Sequence, residues 1–126
     1  MVELMVAISI LLFSVSGAVA TQIASKRLAD TGAETSAAMA DLQACMEQVL
    51  VMPVETIPIA GSPFEADQPV AAYESLHLTG ERIVATYPTY VVGAAVPDPL
   101  EIVLLSSWRD HGGRTRTLRL ACMKTR

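Results

Sequence analysis

The side chains best suited to chemistry in this sequence are two histidines, His77 and His111. A serine or cysteine nucleophile would need one of them as a base, held in turn by a carboxylate. Asp110 adjoins His111, but neighbours in sequence seldom orient each other in that way. The sequence also has no phosphate-binding GxxxxGK loop, no HExxH motif and no EF-hand loop. We therefore predict a protein that is not an enzyme and that needs no cofactor or metal.

The two cysteines, Cys45 and Cys122, are candidates for a disulfide. They fit neither a zinc cluster nor a CxxC redox motif. If the domain lies outside the cytoplasm, a bond between them would contribute on the order of 4 kcal/mol, because it would close a long loop. The alternative is two buried free thiols that act as small hydrophobic side chains.

Basic residues are concentrated near the C-terminus, and three of them, Arg114, Arg116 and Arg119, are the candidates for a contact with nucleic acid. The net charge of -4 and a pI near 5.0 argue against a general polyanion binder. With only 5% aromatic residues there is also little material for a base-stacking surface. We favour arginines that protect an edge strand from unwanted pairing, and we do not expect nucleic acid as a partner.

The N-terminal part of the sequence is strongly apolar. No charged residue occurs from Leu4 to Ser25, and as a helix this run spans about 33 Å, close to the thickness of a bilayer's hydrocarbon core. A retained transmembrane helix over residues 1–25 is the interpretation that we favour. A cleaved signal peptide is an alternative because Ala18-Val19-Ala20 has the A-x-A pattern, although no basic residue precedes the run. A buried helix of a soluble domain is the third interpretation.

The residues around Glu3 resemble the N-terminal signature of type IV pilins and of the pseudopilins of type II secretion: Met1-Val2-Glu3-Leu4-Met5-Val6-Ala7-Ile8. In that family, prepilin peptidase removes a leader ending in Gly just before Phe-Thr-Leu-Val-Glu-Leu, and the new N-terminus is methylated. Met1 falls where the family has Leu, so we expect a basic leader to be encoded upstream. Read alone by the positive-inside rule, Lys26 and Arg27 would place the C-terminal part in the cytoplasm. Basic residues in such a leader would resolve this conflict.

The resemblance implies that Glu3 pairs with the N-terminal ammonium group of a neighbouring subunit. It implies a single-pass protein of the bacterial inner membrane whose C-terminal domain is periplasmic. The expected function is that of a minor pilin or minor pseudopilin, which primes or caps a type IV pilus or secretion pseudopilus. Its expected partners are other pilins or pseudopilins at a hetero-oligomeric filament tip, and prepilin peptidase before maturation. The alternative is a membrane-anchored or secreted periplasmic binding protein unrelated to filaments.

The remaining sequence predicts the elements that carry these residues. Over residues 26–52 the helix becomes amphipathic, with one apolar stripe formed by Leu42, Cys45, Met46, Val49 and Leu50. Thr31-Gly32-Ala33-Glu34 has the pattern of a capping box, which predicts a break or kink near Gly32. Pro53 should end the helix.

Residues 53–70 contain four prolines and predict an extended surface connection. Residues 71–126 predict an antiparallel sheet. Its expected elements are a hairpin of Tyr73–Leu78 with Arg82–Tyr87, a continuation at Thr89–Val92, and a last pair of strands around Gly112-Gly113 in which Leu100, Ile102, Leu104 and Trp108 share one face. The predicted fold is α+β and pilin-like, with residues 26–126 as one globular domain.

Overall fold

The computed structural model describes residues 2–126, so Met1, the first residue of the pilin-like signature, lies outside the described residues. A single long helix, α1 (Val2–Val51), precedes three strands, β1 (Arg82–Thr86), β2 (Leu100–Arg109) and β3 (Thr115–Lys124). The strands form one antiparallel sheet in the order β1-β2-β3. This arrangement confirms the predicted α+β class, a long N-terminal helix packed on a small antiparallel sheet.

The chain divides into two compact units between Ala33 and Glu34. The first contains the N-terminal part of α1, and the second, Glu34–Arg126, contains the end of α1 and the sheet.

The end of α1 follows from its sequence. The residue before a proline is disfavoured in the helical conformation, and α1 accordingly ends at Val51, before Met52 and Pro53. The predicted break near Gly32 is wrong, because α1 is continuous from Val2 to Val51. The hydroxyl group of Thr31 donates to the carbonyl oxygen of Arg27 at 2.9 Å, so it makes a bond inside the helix instead of a cap.

The core of the Glu34–Arg126 unit lies between the apolar stripe of α1 and one face of the sheet. Most of the predicted stripe is buried, while Leu50 remains exposed. The sheet contributes alternate residues of β1 and β2, as predicted, and β3 adds a half-buried row on the same face. The core residues from these elements are Leu42, Cys45, Met46, Val49, Ile83, Ala85, Leu100, Ile102 and Leu104, with Leu118, Leu120 and Cys122 packed against them.

The proline-rich segment 53–70 is not the surface connection that was predicted. It places Val54, Ile57, Phe64 and Val70 in the core, and its only helical element is a short 3-10 helix at Val54–Thr56. Prolines exclude a regular element here, but they do not prevent the apolar residues between them from being buried. The segment therefore closes one end of the core.

The predicted strand Tyr73–Leu78 is also wrong. Ala71–Tyr73 is a 3-10 helix, and residues 74–80 form turns. The free edge of β1 is instead covered by the preceding segment, in which Pro69 is bridged to Val84 and the N–H group of Val70 donates to Ile83 at 2.8 Å. Because Pro69 and Val70 occupy that edge, a later strand cannot pair there.

The predicted strand at Thr89–Val92 is a series of turns, closed by bonds from the Tyr90 N–H to Tyr87 and from the Ala94 N–H to Val91. The last hairpin is as predicted. Its turn is closed when the Gly113 N–H donates to Asp110 at 2.8 Å. Gly113 has a φ of +73°, a conformation that glycine adopts without a steric penalty.

Candidate functional site

The N-terminal part of α1 presents an apolar surface that nothing in its own unit covers. By length and composition, α1 is one helix that could cross a membrane. Phe13 is 83% exposed and Val2 is 75% exposed, and the other large apolar side chains up to Ile23 are about half exposed or more. Lipid or other apolar helices can cover such a surface.

Four hydroxyl groups in this part of α1 are bonded within the helix. They belong to Ser9, Ser14, Ser16 and Thr21, and each donates to the carbonyl oxygen four residues earlier, at 2.7–2.9 Å. A hydroxyl group that is satisfied in this way costs little in lipid. These four hydroxyl groups therefore do not prevent insertion of the helix into a bilayer.

Glu3 is the acidic residue of this surface. It lies in the first turn of α1 and is exposed. Among residues 2–126, no basic side chain forms an ion pair with it within 4.0 Å. Its position near the helix N-terminus is electrostatically favourable in itself, because the first backbone N–H groups carry partial positive charge.

The two cysteines are both free thiols, so the candidate disulfide is not formed in this structure. Cys45 is buried, and Cys122 is half-buried with its Sγ atom 3.3 Å from the Sδ atom of Met46. Both residues point towards the core, as predicted, but the nearest sulfur partner that is found for Cys122 is Met46. The second interpretation, two free thiols packed as small hydrophobic groups, describes the observed arrangement.

Two of the three arginines considered for nucleic acid are engaged within their own hairpin. The Nε atoms of Arg114 and Arg116 lie 3.2 Å and 3.1 Å from Oδ2 of Asp110. Asp110 also accepts from the backbone N–H of Arg114, and this bond, with the two arginine side chains, lowers the pKa of its carboxyl group. Arg119 lies on the opposite face of β3 and is exposed. The three residues therefore do not form one basic patch.

Each histidine binds a carboxylate on α1, a relationship that the sequence analysis missed. Nδ1 of His77 lies 2.8 Å from both carboxylate oxygens of Asp41, and Nδ1 of His111 lies 2.6 Å from Oε1 of Glu34. Glu34 and Asp41 are two turns apart on α1, next to the apolar stripe. Their presence on one side of the helix beside the buried residues was the available signal.

Glu81 is the least exposed carboxyl group of the domain, at 2%. Its Oε2 atom accepts from the backbone N–H groups of His77 and Leu78, at 3.2 Å and 3.3 Å. Its Oε1 atom is buried and has no hydrogen-bond partner among the described residues. Burial raises the pKa of this group, and the nearby Asp41 raises it further, while the two backbone bonds oppose the change.

The pair of His77 and Asp41 can be compared with a catalytic triad. The contact between His77 and Asp41 resembles the part of a catalytic triad that orients the base. Within residues 2–126, however, no serine or cysteine side chain is hydrogen-bonded to His77. The same part of the chain contains no cluster of three or more His, Cys, Asp or Glu side chains suited to a metal ion.

No family model, no curated protein and no solved structure matches this chain.

Proposed function

We propose that this protein is a minor pilin or minor pseudopilin, a structural subunit that primes or caps a type IV pilus or a type II secretion pseudopilus. The observation that carries the proposal is the uncovered apolar surface of α1 with the single acid, Glu3, at its start. The pilin-like signature around Glu3 supports the same conclusion.

The apolar surface explains the need for a membrane and for neighbouring subunits. A Leu, Ile, Val or Phe side chain gains about 1.5–3 kcal/mol when it moves from water into an apolar environment. More than ten such side chains are exposed on the first half of α1. Lipid would cover them before assembly, and the helices of other subunits would cover them in a filament.

Glu3 explains why the neighbouring subunits would enter in a fixed register. A carboxylate at the centre of a bilayer costs about 2.5–3.5 kcal/mol on insertion scales, and less near a helix end. The ammonium group of a neighbouring N-terminus would offset this cost while its own desolvation is relieved. Subunits would then be selected at the position where the two charges meet.

In this proposal the protein crosses the bacterial inner membrane once, and the Glu34–Arg126 domain is periplasmic. Its partners are other pilins or pseudopilins, and prepilin peptidase processes it before assembly. The sheet and core of the domain give each subunit a folded head, while α1 provides the assembly surface.

The test compares Glu3→Ala and Glu3→Gln with Glu47→Ala, which removes an exposed acid from the domain part of α1. We expect all three proteins to remain in the membrane after alkaline extraction. We expect the two Glu3 variants to be recovered with sheared filaments or co-purified with other subunits at least about tenfold less, the factor that corresponds to 1.4 kcal/mol. The Glu47→Ala protein should behave like the wild type.

Unchanged incorporation of both Glu3 variants would remove Glu3 from the mechanism. Mass determination of the mature protein distinguishes the alternative function. A mature chain that begins after Ala20 would lack the assembly surface and would identify a secreted periplasmic protein instead.

A further inference from the structure

The domain contains two buried carboxyl groups that contact the same residue, His77: Asp41 on α1 and Glu81 immediately before β1. Asp41 is 5% exposed and Glu81 is 2% exposed, and both bind His77, Asp41 at the ring Nδ1 atom at 2.8 Å and Glu81 at the backbone N–H group at 3.2 Å. Two carboxylates in such a place repel each other strongly, because little water is present to screen them. A pair of this kind is stable when it holds one proton.

The hydrogen-bond partners of the pair indicate where that proton lies. Both oxygens of Asp41 accept from Nδ1 of His77. Oε2 of Glu81 accepts from two backbone N–H groups, while its buried Oε1 atom has no donor among the described residues. An ionised carboxylate can only accept, whereas a protonated carboxyl group has one O–H donor. A proton on Oε1 would donate to Asp41 and satisfy the one unpartnered oxygen of the pair.

The side chains of Asp41, His77 and Glu81 hold a weakly packed turn against α1. The turn is residues 74–80, and all of its side chains are exposed except that of Leu78, which is half-buried. One backbone bond, from the N–H of Arg109 to Thr79, joins the turn to the end of β2. The contact with α1 therefore depends on His77 and Glu81 meeting Asp41, since few apolar contacts are available to replace them.

We propose that Asp41, His77 and Glu81 form a proton-controlled latch: a proton shared between Glu81 and Asp41 holds the turn at residues 74–80 against α1, and loss of that proton releases the turn. The latch goes beyond the filament function and does not depend on it. It would make the surface of the domain around His77 responsive to the pH of the surrounding solution.

Among the charged groups around Glu81, Asp41 is the one that raises its pKa. On α1, Asp41 is the charged group that acts on Glu81, and in the turn His77 contacts both carboxyl groups. On the neighbouring part of β2, the core face presents the uncharged side chains of Ser106 and Trp108. No basic side chain forms an ion pair with Glu81 within residues 2–126, so ionisation of Glu81 would leave a second negative charge uncompensated.

The raised pKa of Glu81 determines the direction of the pH dependence. Because the carboxyl group of Glu81 has a raised pKa in the folded protein, its contribution to stability is complete below the unfolded value of about 4.3. That contribution is lost as the pH rises through the folded value. The latch is therefore closed in acid and opens as the pH rises through the pKa of Glu81 in the folded protein.

The experiment uses the full chain in detergent micelles, labelled with ¹³C and ¹⁵N. We expect the Glu81 resonance, assigned in the wild-type protein through its correlation with the Glu81 backbone amide, to titrate at a higher pH than the exposed glutamates. We also expect the amide protection of His77 and Leu78, corrected for intrinsic exchange, to fall about tenfold for each pH unit above the Glu81 pKa. Glu74→Gln, on the same turn and exposed, should behave like the wild type.

In Glu81→Gln the amide group can accept from the backbone and donate to Asp41 at every pH, so protection should no longer depend on pH. A Glu81 resonance that titrates together with the exposed glutamates would overturn the proposal, and this measurement on the wild-type protein decides it even if the variant does not fold. Equal pH dependence of protection in wild type and Glu81→Gln would also overturn it.

Discussion

The ammonium nitrogen of Lys124, at the end of β3, lies 2.5 Å from the carbonyl oxygen of Leu50 in the last turn of α1. The same nitrogen lies 3.3 Å from the carbonyl oxygen of Val49 and also donates to Met52. The last turn of α1 contains no basic residue of its own. The carbonyl groups at the end of a helix have no partner within the helix and carry partial negative charge. Lys124 therefore caps α1 from the far end of the sequence and fixes β3 to it.

Lys124→Gln should destabilise the domain by about 1–2 kcal/mol, because it removes a positive charge from a partly buried helix terminus. The measurement is denaturant unfolding followed by the fluorescence of Trp108, the only tryptophan. Arg119→Gln is the matched control, since it removes one positive charge from an exposed position of the same strand. Equal losses in the two variants would show that net charge, and not the cap, causes the effect.

Glu34→Gln should weaken the contact between α1 and the turn that carries His111. The carboxylate of Glu34 accepts from the ring and from the backbone N–H of His111, and the ring bond is the main cause of its lowered pKa. A carboxyl group with a lowered pKa in the folded state stabilises the fold at pH values above its unfolded pKa of about 4.3. This contribution is lost as the pH falls through the pKa of the folded state. We expect a loss of up to about 1 kcal/mol at neutral pH, since His111 is largely exposed.

The measurement for Glu34 is the same unfolding experiment, repeated from neutral to acidic pH. The wild type and Glu34→Gln should converge in acid, where Glu34 is protonated in both states. Glu47→Gln, an exposed acid on the same helix, should follow the wild type throughout. A constant difference between wild type and Glu34→Gln at every pH would mean that the bond to His111 does not depend on the carboxylate charge.

Asp110→Asn should loosen the turn between β2 and β3. Asp110 holds the side chains of Arg114 and Arg116 and accepts the backbone N–H of Arg114, so the variant loses two ion pairs at once. We expect faster amide exchange at Gly113 and Arg114 and a lower unfolding midpoint at neutral pH. Since the pKa of Asp110 is lowered, the difference from wild type should shrink as the pH falls below the usual aspartate range. Unchanged exchange at Gly113 would show that the glycine turn is sufficient alone.

The elements with strong periodicity could be predicted from the sequence. The helix, its end before Pro53 and the alternating face of β2 follow from patterns that local physics enforces. The strand at Tyr73–Leu78 was wrong for a reason that lies outside that segment. Pro69 and Val70 occupy the edge of β1, and the buried carboxyl group of Glu81 binds the backbone N–H groups of His77 and Leu78 in a turn.

The candidate sites also divide into those that a local sequence pattern indicates and those that only the fold brings together. The apolar surface and Glu3 could be found because the signal is contiguous in the sequence. The pairs His77–Asp41 and His111–Glu34 could not, because each joins residues that are far apart and whose types alone indicate only solvated charges. Glu81 lies between the two strands predicted for the first hairpin, and only the fold shows that its side chain is buried.

The two thiols should react at very different rates. Burial raises the pKa of Cys45 to about 12, so almost no thiolate is present near neutral pH and the sulfur is also inaccessible. Cys122 is half-buried, and although burial raises its pKa, the charge of Lys124 opposes the change. With the folded protein and a maleimide reagent, we expect Cys122 to be labelled first and Cys45 only after unfolding. Cys45→Ser should leave the fast phase intact, and Cys122→Ser should abolish it. If the untreated protein yields no reactive thiol in denaturant until a reductant is added, the two cysteines are bridged in the cell and the free-thiol arrangement is wrong.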